Sequence, residues 1–239
     1  MVNPTGGLRY ATCESTHLLA HVPGSLEGPA ARRALVRAAW AGSRVALFAC
    51  HGRSVADDPL QSHLPLVDGE LSLLHLSVST DTGPAPRLVL ASACQSATVD
   101  VRRLPDEFVG LPTGFLVSGV ATFVGALWPA GDVSAALMMM RIIELMFPRD
   151  PSAKALPLAR ALQQARAWLR DLTGAEFTQF AAGNQALQEG ARTRLAFAAR
   201  YPSVRPYAAP SAWAPHVLIG AGGPPARSAG GPRKERRSE

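Results

Sequence analysis

The 239-residue chain has a formal net charge of +6, with 47% hydrophobic and 18% charged residues. This composition is typical of a protein with a sizeable buried core, and it excludes a chain that is disordered throughout. Half of the net charge lies beyond residue 226, where the sequence has five basic and two acidic residues. The body is therefore only mildly basic, and we expect no nucleic-acid partner.

Apolar runs and helical periodicity divide the chain into alternating elements. The predicted strands are His17–Val22, Val45–Cys50, Arg87–Cys94, Ala121–Trp128 and His216–Gly220. The predicted helices are Pro29–Ala41, Asp106–Ser118, Val133–Phe147, Pro157–Leu172 and Glu176–Arg200. The strands lack strict alternation, which indicates that both faces are covered. The sequence therefore predicts an α/β fold with a mostly parallel sheet and helices on both faces.

The same patterns predict one main domain, residues 17–221, between an N-terminal segment (1–16) and a tail (222–239). The tail is rich in Gly, Pro, Ser and Arg, a composition that buries too little apolar surface to offset the entropy of ordering. We expect a disordered basic tail. Inside the domain, the turn dipeptide Asp68-Gly69 in Leu64–Leu76 predicts a small hairpin or a strand-turn-helix unit.

The chain holds three cysteines without framework spacing, and its first residues contain no apolar stretch that could act as a signal peptide. We therefore expect a reducing, cytoplasmic location. The most apolar long run, Val133–Phe147, is interrupted by Ser134, Arg141 and Glu144. It falls short of the roughly 20 apolar residues that a bilayer span needs, so we expect no membrane segment.

Two predicted strands lead into reactive residues, His51 and Cys94. Because functional crevices lie beyond the carboxyl ends of parallel strands, an imidazole and a thiol on neighbouring strands can meet there. A nearby imidazolium lowers the pKa of a thiol and makes it a nucleophile. The N–H groups of Gly52 and Cys94 could donate to a developing oxyanion. Alternatively, Cys94 is a small core residue and His51 is structural or exposed.

Five segments, in order, resemble the CHAT domain: FACHG at 48–52, LPLVDGELSL at 64–73, LVLASAC at 88–94, DEFVGLPTGFLVSGVATFVGALWPAGD at 106–132, and WAPHVLIG at 213–220. The resemblance covers about residues 17–221. It implies a caspase-like fold from the clan of separase, metacaspases and gingipains. It also implies a cysteine endopeptidase with a catalytic dyad of His51 and Cys94.

The resemblance further implies cleavage of a protein or peptide through an acyl-enzyme, in a regulated signalling or defence context and without a cofactor. Two departures bear on this expectation. The SAC motif is followed by Gln95-Ser96, where family members often have Glu-Thr. The chain also begins close to the first predicted strand, so a leading subdomain of longer members is expected to be absent or reduced. The alternative is a catalytically weak interaction or regulatory module, and a regulatory partner protein fits either reading.

Separase-like proteins carry an L-W-D-x-x-D loop after a strand, and here the first acidic position is Pro129 while the last is Asp132. If Asp132 lines the pocket for the residue preceding the scissile bond, it favours Arg or Lys there. Alternatively, Asp132 is the N-cap of the helix that begins at Val133.

Metal coordination is the remaining alternative for the reactive residues. No pair among these candidates has C-x2-C or H-x3-H spacing, so we expect no metal site from them: Cys50, His51, His63, His75 and Cys94. Cys50 is interpreted as a core residue. The run Met138–Met140 has helical spacing with its apolar neighbours and is interpreted as core packing.

Overall fold

The computed structural model describes residues 2, 10–22, 32, 34, 36, 39–40, 43–53, 55, 61–72, 75, 84–92, 96–97 and 110–221. The strands of this described part are β1 (Val45–Phe48), β2 (His63–Leu66), β3 (Gly69–Ser72), β4 (Leu88–Ala91), β5 (Thr122–Ala126) and β6 (His216–Gly220). They form one sheet of order β1-β4-β5-β6 and a separate β2-β3 hairpin. The hairpin is the one that the sequence predicts near Asp68-Gly69, but its two turn residues are Val67 and Asp68, and Gly69 begins β3 opposite Leu66.

The main sheet is parallel except at one edge. β4 lies between β1 and β5 and is parallel to both, with Leu90 opposite Leu47 on one side and Val124 on the other. β6 runs antiparallel to β5 and places His216 opposite Ala126. The prediction of a mostly parallel sheet is therefore confirmed.

The helices of the described part are α1 (Ala11–His21), α2 (Leu111–Val117), α3 (Asp132–Met146), α4 (Leu158–Asp171), α5 (Gly174–Ala182), α6 (Gln185–Gly190), α7 (Arg192–Arg200) and α8 (Pro210–Trp213). Residues 34, 36, 39 and 40 are also helical and fall inside the predicted helix Pro29–Ala41. In this part of the chain, no helix combines the length and the apolar character that crossing a membrane requires.

The two faces of the sheet bury two separate clusters. Leu88 and Leu90 of β4 belong to a cluster with α1 and α3, in which Met138–Met140 are fully buried. The alternate residues, Val89 and Ala91, belong to a second cluster with aromatic side chains from α2 and from the helical residue Trp40. Such alternation follows from the two-residue period of a strand. Helices cover both faces, and the core role predicted for the methionines is confirmed.

The predicted strand His17–Val22 is wrong, because these residues end α1. Ala11, Glu14 and Leu18 of this helix are buried at the three- and four-residue spacing of one helical face. A short apolar run cannot be assigned to strand or helix from its periodicity alone. Here the buried face begins upstream of the run that was interpreted as a strand.

The single helix predicted over Glu176–Arg200 is divided into α5, α6 and α7. The first break follows Gly183, where the side chain of Asn184 accepts a hydrogen bond from the N–H of Leu187 and begins α6. A side chain that satisfies a free N–H group favours a new helix start over continuation.

Candidate active site

The carboxyl ends of β1, β4 and β5 meet at one edge of the sheet, as parallel pairing requires. The residues that follow these strands are connected by backbone hydrogen bonds outside the ladder. The N–H of Ser92 donates to the carbonyl of Phe48 at 2.9 Å, and the N–H of Ala97 donates to the carbonyl of Ala126 at 3.0 Å. We refer to this region as the carboxyl edge.

His51 lies at the carboxyl edge, three residues after the end of β1, and its side chain is exposed. The residue before it, Cys50, is buried. The segment is held from the other side by the hairpin, because Arg53 and His63 exchange two backbone hydrogen bonds of 2.9 Å. Gly52 lies half-buried between these fixed points. His51 and Gly52 thus both lie at the carboxyl edge, between β1 and the hairpin.

Cys94 lies outside the described residues, as do positions 93 and 95, and the nearest described residues on either side are Ser92 and Ser96. The hydroxyl of Ser96 donates to the carbonyl of Ala91 at 3.3 Å and accepts from the N–H of Ala126 at 3.2 Å. A Cβ on Gly125 would come within 2.6 Å of this hydroxyl. The glycine therefore permits the close approach of Ser96 to β5.

Glu14 is a residue at this edge that the sequence analysis missed. Its carboxyl group is buried, and Oε1 accepts a hydrogen bond of 2.8 Å from the hydroxyl of Ser92. Burial raises the pKa of Glu14 to about 8, the bond from Ser92 opposes this change, and the charge of Asp132 adds to it. Glu14 is therefore mainly protonated at neutral pH. An acidic residue on the apolar face of a helix is unusual, and this pattern would have singled it out had α1 been assigned as a helix.

Asp132 is the first residue of α3, and its side chain is exposed. The alternative that Asp132 caps a helix beginning at Val133 is wrong, because the N-cap is Gly131 and the helix begins at Asp132 itself. A carboxylate in the first turn still interacts favourably with the helix dipole. Since its charge acts on Glu14, Asp132 lies within electrostatic reach of the carboxyl edge.

Comparison with protein families gives a match to the CHAT domain over residues 12–221. The chain belongs to the CHAT domain family. This family is related to the caspase-like cysteine peptidases. A search of curated proteins returns no match for the chain.

The six histidines of this CHAT domain are all described, so their environments can be compared. Four have side-chain contacts in the helices or the hairpin: His17, His21, His63 and His75. His216 begins β6 at the carboxyl edge but is fully buried, and burial together with the charge of Arg166 lowers its pKa to about 4. His51 is the histidine that combines an exposed ring with a position at this edge.

The buried Glu14 makes the free energy of unfolding dependent on pH. The unfolded chain releases the Glu14 proton near pH 4.5, whereas the folded protein retains it up to about pH 8. Between these values Glu14 holds its proton mainly in the folded state, so its contribution to the free energy of unfolding falls as pH rises, by up to about 1.4 kcal/mol per pH unit. Glu14→Gln, which resembles the protonated side chain, should remove this fall. Urea unfolding at pH 5 and pH 8 measures it.

The exposed Glu189 of α6 provides a matched control. Glu189→Gln should leave the difference in stability between pH 5 and pH 8 as in the wild type. A Glu14→Gln protein with that same difference would show that Glu14 does not carry the proton.

Gly125→Ala should destabilise the protein by about 1–3 kcal/mol, because its Cβ would overlap the Ser96 hydroxyl and the Phe123 ring. Gly131→Ala is the control, since a Cβ there has its nearest contact, with Ser134 Oγ, at an ordinary 3.4 Å. Urea unfolding should separate the two variants, and Ser96→Ala should reduce the cost of Gly125→Ala. Equal stability of the two glycine variants would contradict this account of the edge.

Proposed function

We propose that this CHAT domain is a cysteine-type endopeptidase in which Cys94 is the nucleophile and His51 is the base. The observation that carries the proposal is the exposed His51 ring at the carboxyl edge of β1, beside β4, the strand that Cys94 follows in the sequence. An imidazole at this position can serve as a proton acceptor for a thiol and as a proton donor for a leaving amine.

The other two cysteines do not suit the role of nucleophile. Burial, with a contribution from the charge of Glu14, raises the pKa of Cys13 to about 11, and burial also raises the pKa of Cys50 to about 12. Both thiols therefore stay protonated and inert near neutral pH. This supports Cys94 as the reactive thiol among the three cysteines of the chain.

The proposed reaction has two halves. His51 takes the proton of the Cys94 thiol, and the sulfur attacks the carbonyl carbon of the scissile peptide bond. The N–H groups of Gly52 and Cys94 donate to the resulting oxyanion. His51 then gives its proton to the leaving amine as the C–N bond breaks. In the second half His51 activates water, which attacks the thioester, releases the carboxylic acid and restores the thiol.

The proposed substrate is a protein or peptide with Arg or Lys before the scissile bond. Asp132 supports this preference, because it is a carboxylate near the carboxyl edge and a guanidinium or ammonium group is its natural partner. The raised pKa of Glu14 leaves that group mainly neutral at neutral pH, so Asp132 supplies most of the negative charge that these two carboxyl groups can offer.

Cys94→Ala and His51→Ala should each reduce peptide cleavage by several orders of magnitude, because removal of an activated nucleophile or its base abolishes the covalent route. Initial rates on a fluorogenic peptide library test this expectation. Cys50→Ala and His75→Ala are matched controls that remove the same types of side chain elsewhere and should retain the rate.

Alkylation of Cys94 by a peptidyl chloromethyl ketone, followed by mass spectrometry, detects an activated thiol even where turnover is slow. It should be fast in the wild type and much slower in His51→Ala. Equal cleavage in all variants, together with equal alkylation with and without His51, would contradict the peptidase proposal and favour the alternative of an interaction or regulatory module.

Asp132→Ala should lower kcat/KM for peptides with Arg or Lys before the scissile bond by about 10- to 100-fold, the value of one charge-assisted hydrogen bond. A matched peptide with citrulline in place of Arg lacks the charge and should be little affected. Asp132→Asn keeps the shape of the side chain and should also lose the preference. An equal loss for both peptides would contradict a pocket role.

A further inference from the structure

A cluster of three metal-ligating side chains, His17, His21 and Glu144, lies between α1 and α3. It is distinct from the carboxyl edge. Glu14 and His21 are seven residues apart, or about 10 Å along α1, and Asp132 and Glu144 are twelve residues apart, or about 18 Å along α3. His21 and Glu144 therefore lie toward the far ends of α1 and α3, whereas His17 lies in the middle of α1, three residues or about 4.5 Å from Glu14.

The two histidines present their rings from one face of α1. They have H-x3-H spacing, which places side chains on successive turns of a helix, and their ring centroids are 4.4 Å apart. Glu144 reaches them from the neighbouring helix, with Oε1 at 3.4 Å from Nε2 of His17. One ligand atom from each of the three residues lies within 4.8 Å of the others.

These separations suit a single small cation. Zinc binds imidazole nitrogen and carboxylate oxygen at about 2.0–2.2 Å, so two ligand atoms of a tetrahedral site lie roughly 3.3–3.5 Å apart. The distance of 3.4 Å between His17 Nε2 and Glu144 Oε1 falls in this range. Nε2 of His17 is buried, and its polar neighbour among the described residues is Oε1 of Glu144, which is itself a member of the cluster.

Neighbouring groups orient the ligands as the outer shell of a metal site does. The ring of His21 donates from Nδ1 to the carbonyl oxygen of His17 at 2.8 Å, which leaves Nε2 with its lone pair. Oε2 of Glu144 accepts from Arg141 at 2.8 Å, which leaves Oε1 toward His17. The ring of Phe180 lies beside that of His17 and provides an apolar wall.

Burial and neighbouring charges act on His21 and Glu144 in opposite directions. Burial lowers the pKa of His21, although its bond to the His17 carbonyl opposes this effect, so the ring is neutral at neutral pH. For Glu144, burial favours the neutral form, but contacts with His17 and Arg141 outweigh it and lower the pKa, so the carboxyl is ionised. Two cations, Arg141 and Arg149, lie near the cluster and reduce its affinity for a metal ion relative to an isolated site.

We propose that His17, His21 and Glu144 form a zinc site that cross-links α1 to α3. Two imidazoles and one carboxylate are a donor set that zinc accepts, with a fourth position open to water. The site would stabilise the position of α1, the helix that carries Glu14 to the carboxyl edge. The proposal does not rest on the peptidase activity, and it uses none of the residues for which the sequence predicts no metal site.

The test uses the full chain with Cys94→Ala, because a free thiol near a histidine could itself bind zinc. Titration of the chelator-treated protein with zinc chloride, in competition with a chromophoric chelator, should show one bound ion per chain. His21→Ala and Glu144→Gln should weaken binding by more than about 100-fold, since even the loss of an outer-shell contact costs about 10- to 100-fold. His75→Ala is the control and should bind as the parent does.

Two further measurements separate the site from a purely structural ion pair. Zinc should raise the Tm of the parent but not that of His21→Ala, because only a ligand that binds the folded state stabilises it. Cobalt substitution should give the intense visible absorption of a tetrahedral site without a thiolate charge-transfer band. The proposal is overturned if zinc does not bind, or if His21→Ala and Glu144→Gln, folded by circular dichroism, bind it as tightly as the parent.

Discussion

Parallel pairing of β1, β4 and β5 fixes where the candidate chemistry of this CHAT domain lies. Parallel strands leave the sheet in one direction, so the segments after Phe48, Ala91 and Ala126 come together without any further interaction. The bonds from Ser92 to β1 and from Ala97 to β5 then hold the residues on either side of the Cys94 position against both neighbouring strands. The position of His51 at the same edge is determined by the end of β1 and by the hydrogen bonds between Arg53 and the hairpin.

α1 connects this edge to the rest of the molecule. At its first turn the buried Glu14 meets Ser92, and along the remainder it packs on α3. Burial of an ionised carboxylate beside Asp132 would be costly, and protonation with one hydrogen bond from Ser92 reduces that cost. The protonation of Glu14 at the carboxyl edge is therefore coupled to the position of α1. Any interaction that holds α1 against α3 therefore also holds the carboxyl of Glu14 in contact with Ser92, which follows β4.

The sequence predicts most of the sheet, because buried parallel strands are continuous apolar runs, and it predicts the hairpin to within one residue from Asp68-Gly69. It also predicts His51 at the edge, since that position depends only on where β1 ends. The contact of Glu14 with Ser92 could not be predicted, because it joins residues 78 positions apart. The division of residues 174–200 was missed because the Asn184 cap competes with good helix formers on both sides.

The zinc proposal follows from the finding that residues 17–21 are helical, where the sequence predicts a strand. In a strand, His17 and His21 would share a face but lie about 13 Å apart, too far for one ion. In a helix the same spacing brings the rings into contact, so the meaning of the H-x3-H pattern depends on the secondary structure assigned to it. Glu144 adds a second requirement, because a ligand from another helix has no fixed spacing in sequence. A metal site built across two helices therefore emerges only once both the helix and its partner are known.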